Sequence, residues 1–283
     1  ASRHPSYIVS VPSPSTFGHM PPPVTLPDTV YASGKDAGQE SFPVASWLLP
    51  PSKRSQIMAF YRFARTADDI ADHPALPPDE KLRLLDQMDG RLPAIGGEHA
   101  ATLLVAFRQD AGKARYADWD ELMGYCRHSA APVGRFLLDL FGEDRALWPR
   151  SDALCAALQV LNHVQDCGKD YRALDRLYLP KDWLQAEGAT PDMLAASQTS
   201  PALHRTLDRV LDATAALLAV SRPLTAGIRH RGLRIQAATT QVGAEALLAR
   251  LRRQDPLVRP VRLGWPMRFL CLLRGIATGV TAR

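Results

Sequence analysis

Tyr61–Asp72 reads YRFARTADDIAD. Tyr61, Arg65, Asp68 and Asp72 fall at i, i+4, i+7 and i+11, one stripe of a 3.6-residue helix. The flanks are apolar, with Met58-Ala-Phe before the stripe and Ile70-Ala71 inside it. The carboxylates therefore do not sit on an evidently solvated face, and buried carboxylates need partners. An aromatic, a guanidinium and two carboxylates on one face make sense where that face looks into a cavity holding cations and anions together.

A second stripe matches the first. NHVQDCGKD, Asn162–Asp170, puts Asn162, Asp166 and Asp170 at i, i+4 and i+8, with Gln165 beside them. It follows an apolar run, Leu154–Leu161, that has the character of a buried helix. Hard oxygen donors with no His or Cys among them suit Mg²⁺, which keeps waters and binds through a few carboxylates plus substrate phosphates. Two facing acidic pairs with a nearby Arg read as a Mg²⁺–diphosphate site in a helical bundle. Acid pairs at i, i+4 are more often simply solvated, and Arg65 as a plain ion-pair partner of Asp68 is the competing reading.

Outward from the stripes, helical periodicity dominates. Residues 1–40 are rich in Pro, Ser and Gly, lack periodicity and read as an unstructured extension, leaving 41–283 as one helical domain. Helices are expected over Phe42–Leu49, Ser52–Asp72 with Ser52 as N-cap, Pro78–Leu92, Ala100–Gly112 and Asp118–Phe141, the last broken at Pro132. Ser151–Tyr171 carries the second stripe. A loop-like link with Pro180 leads to short helices near Lys181–Glu187 and Pro191–Ala196. Pro201–Leu224, Ile228–Arg253 and Met267–Ala277 follow. Strand alternation is nearly absent and no repeat recurs, so the class is all-α, a single-domain bundle with its chemistry in a central cavity.

The chain has 283 residues, 46% hydrophobic and 22% charged, enough for a large core. No apolar run is long enough to span a bilayer, and no basic n-region precedes an apolar h-region, so a cytoplasmic protein is expected. Cys126, Cys155, Cys167 and Cys271 show no zinc or CxxC spacing and read as free buried thiols. His128 and His163 lack a His or Cys partner one turn away and read as structural. The net charge of +5 is uneven: Arg250–Arg283 holds eight Arg and one acid, Asp255, beside Trp265, Met267, Phe269 and several leucines. That tail reads either as a surface for an anionic membrane, on the inner face, or as a last bundle helix with solvated arginines. No motif supports a nucleic-acid partner. P-loop, GxSxG and GxGxxG patterns are absent, and with no dinucleotide fingerprint no NADPH is expected.

At these residues the chain resembles the squalene/phytoene synthase family. SFPVASWLLP resembles the family's opening segment, and YRFARTADDIAD its first acidic motif. Tyr125–Gly142 (YCRHSAAPVGRFLLDLFG) resembles its Tyr-Cys…Val-Gly helix, and NHVQDCGKDYRALDRLYLP its second acidic motif and flap. The match runs roughly from Ser41 to Arg262. Within the family the wording is most similar to the hydroxysqualene-forming enzymes of bacterial hopanoid biosynthesis. Gln39 and Glu40 stand where condensing members commonly have a basic residue before Ser-Phe, and a Tyr of the late helix is replaced around Ala246. Both departures fit an enzyme that ionises one diphosphate.

The resemblance implies an isoprenoid synthase bundle that binds two or three Mg²⁺ through Asp68, Asp72, Asn162, Asp166 and Asp170, with Asp69 in support. It implies a Mg²⁺-dependent lyase acting on a prenyl diphosphate, presqualene diphosphate, and coupled to the other squalene-forming enzymes. Arg65 and Arg172, with Arg259 or Arg262, would flank the leaving group, and Tyr61 and Gln165 would order that polar shell. Ser41, Phe42, Tyr125 and Tyr178 would contact substrate, and Phe42 and Trp47 would line the tunnel. The alternatives are a squalene or presqualene diphosphate synthase acting on farnesyl diphosphate, a cyclising terpene synthase, and a non-catalytic membrane-associated scaffold or assembly factor. A scaffold has no physical need of two complete acidic pairs. A cyclase usually carries a hydroxyl and a Glu in its second motif, which Asn162–Asp170 lacks.

Overall fold

Pro51 starts the helix that carries the first stripe. In the computed structural model, which describes residues 49–282, α1 spans Pro51–Ala71. A proline fits the first helical position because its missing N–H would be unpaired there anyway. Ser52 therefore lies inside the first turn and does not cap it, against expectation. The extension at 1–40, Ser41, Phe42 and Trp47 lie outside the described residues, as does the expected first helix apart from Leu49, a buried residue in a bend.

α2 (Pro78–Asp89) and α3 (Gly97–Asp110) follow, each close to its expected span. The helix expected over Asp118–Phe141 divides into α4 (Trp119–Ser129) and α5 (Ala131–Leu140), with Pro132 in the first turn of the second. Asp118 caps α4 by accepting from the Glu121 N–H at 2.8 Å. α6 (Trp148–Leu174) is the longest element and ends where Asp175 turns left-handed, φ 51°.

The link after α6 is not wholly loop. Leu177–Pro180 (β2) pairs in parallel with Arg115–Tyr116 (β1). Leu177 and Leu179 are buried on one face, and the Leu177 N–H donates to the Ala114 carbonyl at 2.8 Å. α7 (Lys181–Ala186) and a 3₁₀ turn (Pro191–Ala195) lead to α8 (Pro201–Ser221), which Ser200 caps. Pro223 separates α8 from a short α9 (Leu224–Gly227). α10 (Arg231–Leu251) and α11 (Trp265–Thr281) close the bundle.

α6 runs through the middle, packed against α4, α5, α8 and α10. Two close helix approaches depend on glycine. A Cβ at Gly134 of α5 would strike Ser151 and Cys155 of α6, and one at Gly275 of α11 would strike Thr239 of α10. All four cysteines are free, and Cys126, Cys167 and Cys271 are buried. No described helix is long and apolar enough to cross a membrane.

Candidate functional site

α1, α5, α6 and α10 enclose a cavity of about 440 Å³. Most of its wall is apolar: Ile57 and Phe60 from α1, Leu137 from α5, Leu154 from α6 and Leu233 from α10. The Phe60 and Phe136 rings stack with centroids 4.1 Å apart. Tyr61, Arg65, Asp68 and Asn162 also line it. Tyr61, Arg65 and Asp68 come from the first stripe and Asn162 from the second, so α1 and α6 each bring part of a stripe to this space, while Asp72, Asp166 and Asp170 lie outside its wall. Ser151 and Asn162 lie eleven residues apart on α6, about 16 Å at 1.5 Å per residue. The cavity is thus long and apolar with a charged end.

At that end the carboxylates crowd one another. Arg65 bonds Asp68 at 2.9 Å and Asp69 at 2.5 Å. Burial and the nearby Asp72 charge push Asp68 up to about 7, although 36% of its side-chain surface remains accessible. Burial and the Asp166 charge push Asp170 up to about 6, with Asp72 contributing. Asp72, at the C-terminus of α1, thus raises a carboxyl in each stripe, and the two motifs share one field. Asp69 is buried against Arg65 and does not line the cavity.

Two residues of this region are not singled out by the sequence. Arg176, immediately before β2, pairs with Asp72 and donates to the carbonyls of Ala71 (3.2 Å) and Asp110 (3.0 Å). Asp110, the last residue of α3, is buried and accepts from Tyr125 Oη at 2.8 Å and Tyr178 Oη at 3.4 Å. Burial pushes its carboxyl up to about 7 despite Arg176 and the tyrosine hydroxyls. Tyr178 stacks on His163 with centroids 3.6 Å apart, and burial lowers His163 to about 3, so that ring is neutral. Arg176 immediately precedes β2, two residues before Tyr178.

The residues fit Mg²⁺. The donor set is all oxygen, and its carboxylates repel one another without a cation. Asn162 Oδ1 and Gln165 Oε1 are buried with no hydrogen-bond partner, an arrangement that costs energy unless a cation or donor meets them. No three carboxylates of the two stripes approach within 4.8 Å of one another. That spacing suits ions whose remaining ligands are water and diphosphate oxygens.

The other expected residues separate. Tyr125 is buried, with its hydroxyl on Asp110. Gln165 Nε2 donates to the Val261 carbonyl. Arg172 is exposed and donates to the Leu194 carbonyl at 3.2 Å, on the 3₁₀ turn. Arg176 holds the position beside the acids that Arg172 was expected to fill. Arg259 and Arg262 are exposed, and Tyr178 is outside the cavity wall. His128 Nδ1 lies 3.0 Å from the Gly124 carbonyl of its own helix, a structural contact. A further cluster, Glu98, His99 and Asp139, is closed by Arg145, which bonds Asp139 at 2.7 Å and Glu98 at 3.1 Å.

Comparison with known proteins gives the same picture. The sequence model of the squalene/phytoene synthase family matches residues 36–101 and 91–268. A hydroxysqualene synthase of Rhodopseudomonas palustris is 46% identical, over 84% of this chain and 88% of that protein. One from Sinorhizobium fredii is 42% identical, over 82% and 86%. A crystal structure of a squalene synthase from Alicyclobacillus acidocaldarius superposes with TM-score 0.63 at 33% identity, covering 75% of this chain and 87% of that one. A ligand-bound dehydrosqualene synthase, 22% identical, shares the fold with TM-score 0.74 over 85% and 92%.

Proposed function

The chain belongs to the squalene/phytoene synthase family, and on that premise we propose that it converts presqualene diphosphate to hydroxysqualene, as a carbon–oxygen lyase of squalene and hopanoid biosynthesis. The observation that carries the reading is the polarity of the cavity: a charged end for a diphosphate and an apolar length for two prenyl chains. The name borne by the relatives at 42–46% identity supports the product.

Asp68, Asp72, Asn162, Asp166 and Asp170 would hold two or three Mg²⁺, with Asp69 fixing Arg65 behind them. Those ions supply Lewis-acid charge to the departing diphosphate. Arg65 orients the diphosphate, and Tyr61 packs beside it in the wall. Gln165, with its free Oε1, orders the rim. Arg176 clamps the end of α1 to α3 and so keeps Asp72 in register with Asp166 and Asp170. When the C–O bond breaks, its electron pair leaves with the diphosphate. The apolar wall excludes water while the cyclopropylcarbinyl cation rearranges. One water then adds to the allylic cation and loses a proton. Ser41 and Phe42, outside the described residues, and Tyr125 and Tyr178, through the Asp110 network, complete the proposed substrate contacts. We place the enzyme in the cytoplasm, coupled to the other squalene-forming enzymes and touching the membrane through its C-terminal segment.

The test is product analysis by mass spectrometry from presqualene diphosphate and Mg²⁺ without NADPH. Hydroxysqualene is expected. Squalene formed only with NADPH, or presqualene diphosphate accumulating from farnesyl diphosphate, refutes the proposal. Asp68→Asn and Asp166→Asn should each lose roughly a hundredfold or more in kcat, several kcal/mol of transition-state stabilisation. Turnover within a few-fold of the parent refutes the metal assignment.

A further inference from the structure

Ser129, the last residue of α4, lines the cavity beside Ala130 and Val133, away from the carboxylates. Its Oγ is buried and has no hydrogen-bond partner among the described residues. A serine in a helix ordinarily returns its hydroxyl to a carbonyl of the preceding turn. Left unpaired in an apolar wall, the oxygen costs free energy unless a polar guest meets it.

The register of the helices shows what faces it. The Tyr125 and His163 rings lie with centroids 6.1 Å apart. Further along, Arg135 Nε donates to Asp152 at 2.9 Å, and a Cβ on Gly134 would strike Ser151 and Cys155. Partners on α6 thus fall in number as those on α4 and α5 rise, an antiparallel course. Between these contacts Ser129, one turn after Tyr125, comes level with Gln159, one turn before His163. Gln159 also lines the cavity. Its Nε2 donates to His163 Nε2 at 3.2 Å, so the amide oxygen is the end available to the cavity.

We propose that Ser129 Oγ and the Gln159 amide oxygen together hold the water that captures the allylic cation, an inference that rests on the reaction proposed above. A water in an apolar space needs two or more polar partners. Here both are acceptors, so the water donates one O–H to each and keeps a lone pair for carbon. The C–O bond forms from that pair. The proton then leaves to the departed diphosphate, at the charged end one turn along α6 near Asn162. Phe107, Ala130 and Leu158 surround the pair with apolar wall, so water is held at one point and excluded around it.

The experiment measures hydroxysqualene formed per diphosphate released, from presqualene diphosphate and Mg²⁺ with the whole chain. Ser129→Ala should lower that ratio roughly tenfold, the loss of about one hydrogen bond. The missing product should appear as hydrocarbon formed by proton loss from the same cation. Ser129→Thr, which keeps the hydroxyl, should restore the ratio. Gln159→Met should lower it likewise and stands in if Ser129→Ala misfolds. A ratio at the parent level in either variant overturns the proposal, even where turnover falls, because a packing role slows the enzyme without changing the partition. A shift produced by Thr240→Val, on the α10 part of the wall, and not by Ser129→Ala also overturns it. A parent that releases diphosphate and forms no hydroxysqualene sinks the reaction assignment. A parent that forms it with an unmoved ratio in the variants sinks the water site alone.

Discussion

Arg176→Met isolates what ties the acidic rim together. The Arg176 side chain is 8% exposed and serves the Asp72 carboxylate and the carbonyls of Ala71 and Asp110. Methionine keeps much of the volume and removes every donor. Lys81 Nζ still donates to the Ala71 carbonyl at 2.8 Å, so the Asp110 carbonyl is the one left without Arg176, at a cost of about 1–3 kcal/mol, and breaking a buried charge pair costs about 3–5 kcal/mol. These costs overlap, and Asp72 is 38% exposed, so water screens part of the loss. The expected destabilisation is about 3–5 kcal/mol, a Tm drop of roughly 6–20 °C for a chain of this size. Thermal and urea unfolding followed by circular dichroism measure it. Arg176→Lys restores a charge without the planar fork and should recover only part. Asp72→Asn, made in both backgrounds, separates charge from carbonyl capping: it should cost stability with Arg176 present and little with methionine there. A loss under about 1 kcal/mol for Arg176→Met, or identical effects of Asp72→Asn in both backgrounds, refutes the clamp.

The raised carboxyls give a pH dependence with a definite sign. Asp68 and Asp110 lie near 7 and Asp170 near 6, all above the ordinary aspartate value of 3.8, so the folded protein binds more protons than the unfolded chain across that window. Metal-free stability should fall as pH rises from about 4 to 7. Mg²⁺ competes with those protons, so the Tm gain from added Mg²⁺ should grow from pH 5.5 to about 8; a gain that is flat with pH contradicts the metal assignment. Gly275→Val places a branched side chain against the Thr239 backbone and should cost about 1–3 kcal/mol, read in urea unfolding. An unchanged midpoint means that α11 is not packed on α10 as described.

Both acidic stripes were legible in the sequence because each repeats within one helix, and a local period is what a sequence displays. So was the break at Pro132, where proline takes a first-turn position, whereas the link with Pro180 reads as loop and is strand instead. The Ser52 cap misled because Pro51 takes the first helical position. Strand β1 has two residues and β2 four, too few for alternation to register. Asp110 and Arg176 stayed hidden for another reason. The Arg176 bond to Asp72 spans 104 positions and that to the Asp110 carbonyl 66, and neither residue belongs to a periodic set. Arg172, which the family resemblance implies, lies four residues earlier, yet a helix ends between the two. Beyond Asp175 the chain turns and extends, so Arg172 stays on the outside of α6 while Arg176 enters the rim.

α11 shows where the rule that hydrophobic means inward breaks down. Read as a last bundle helix, one of the two readings its sequence allows, its tryptophan, phenylalanine and leucines would mark the buried face and its arginines the wet one. In the bundle the buried face is Cys271, Gly275 and Gly279, chosen for size: small side chains let α11 approach the Ile235–Thr239 backbone of α10. Large side chains there would hold the helices apart. Space against α10 therefore decides orientation before hydrophobicity does, and the large apolar residues are left facing out with the arginines at their flanks. A face left in that state is costly in water. The same small residues that dock the helix on the bundle thus leave its large apolar side chains facing out.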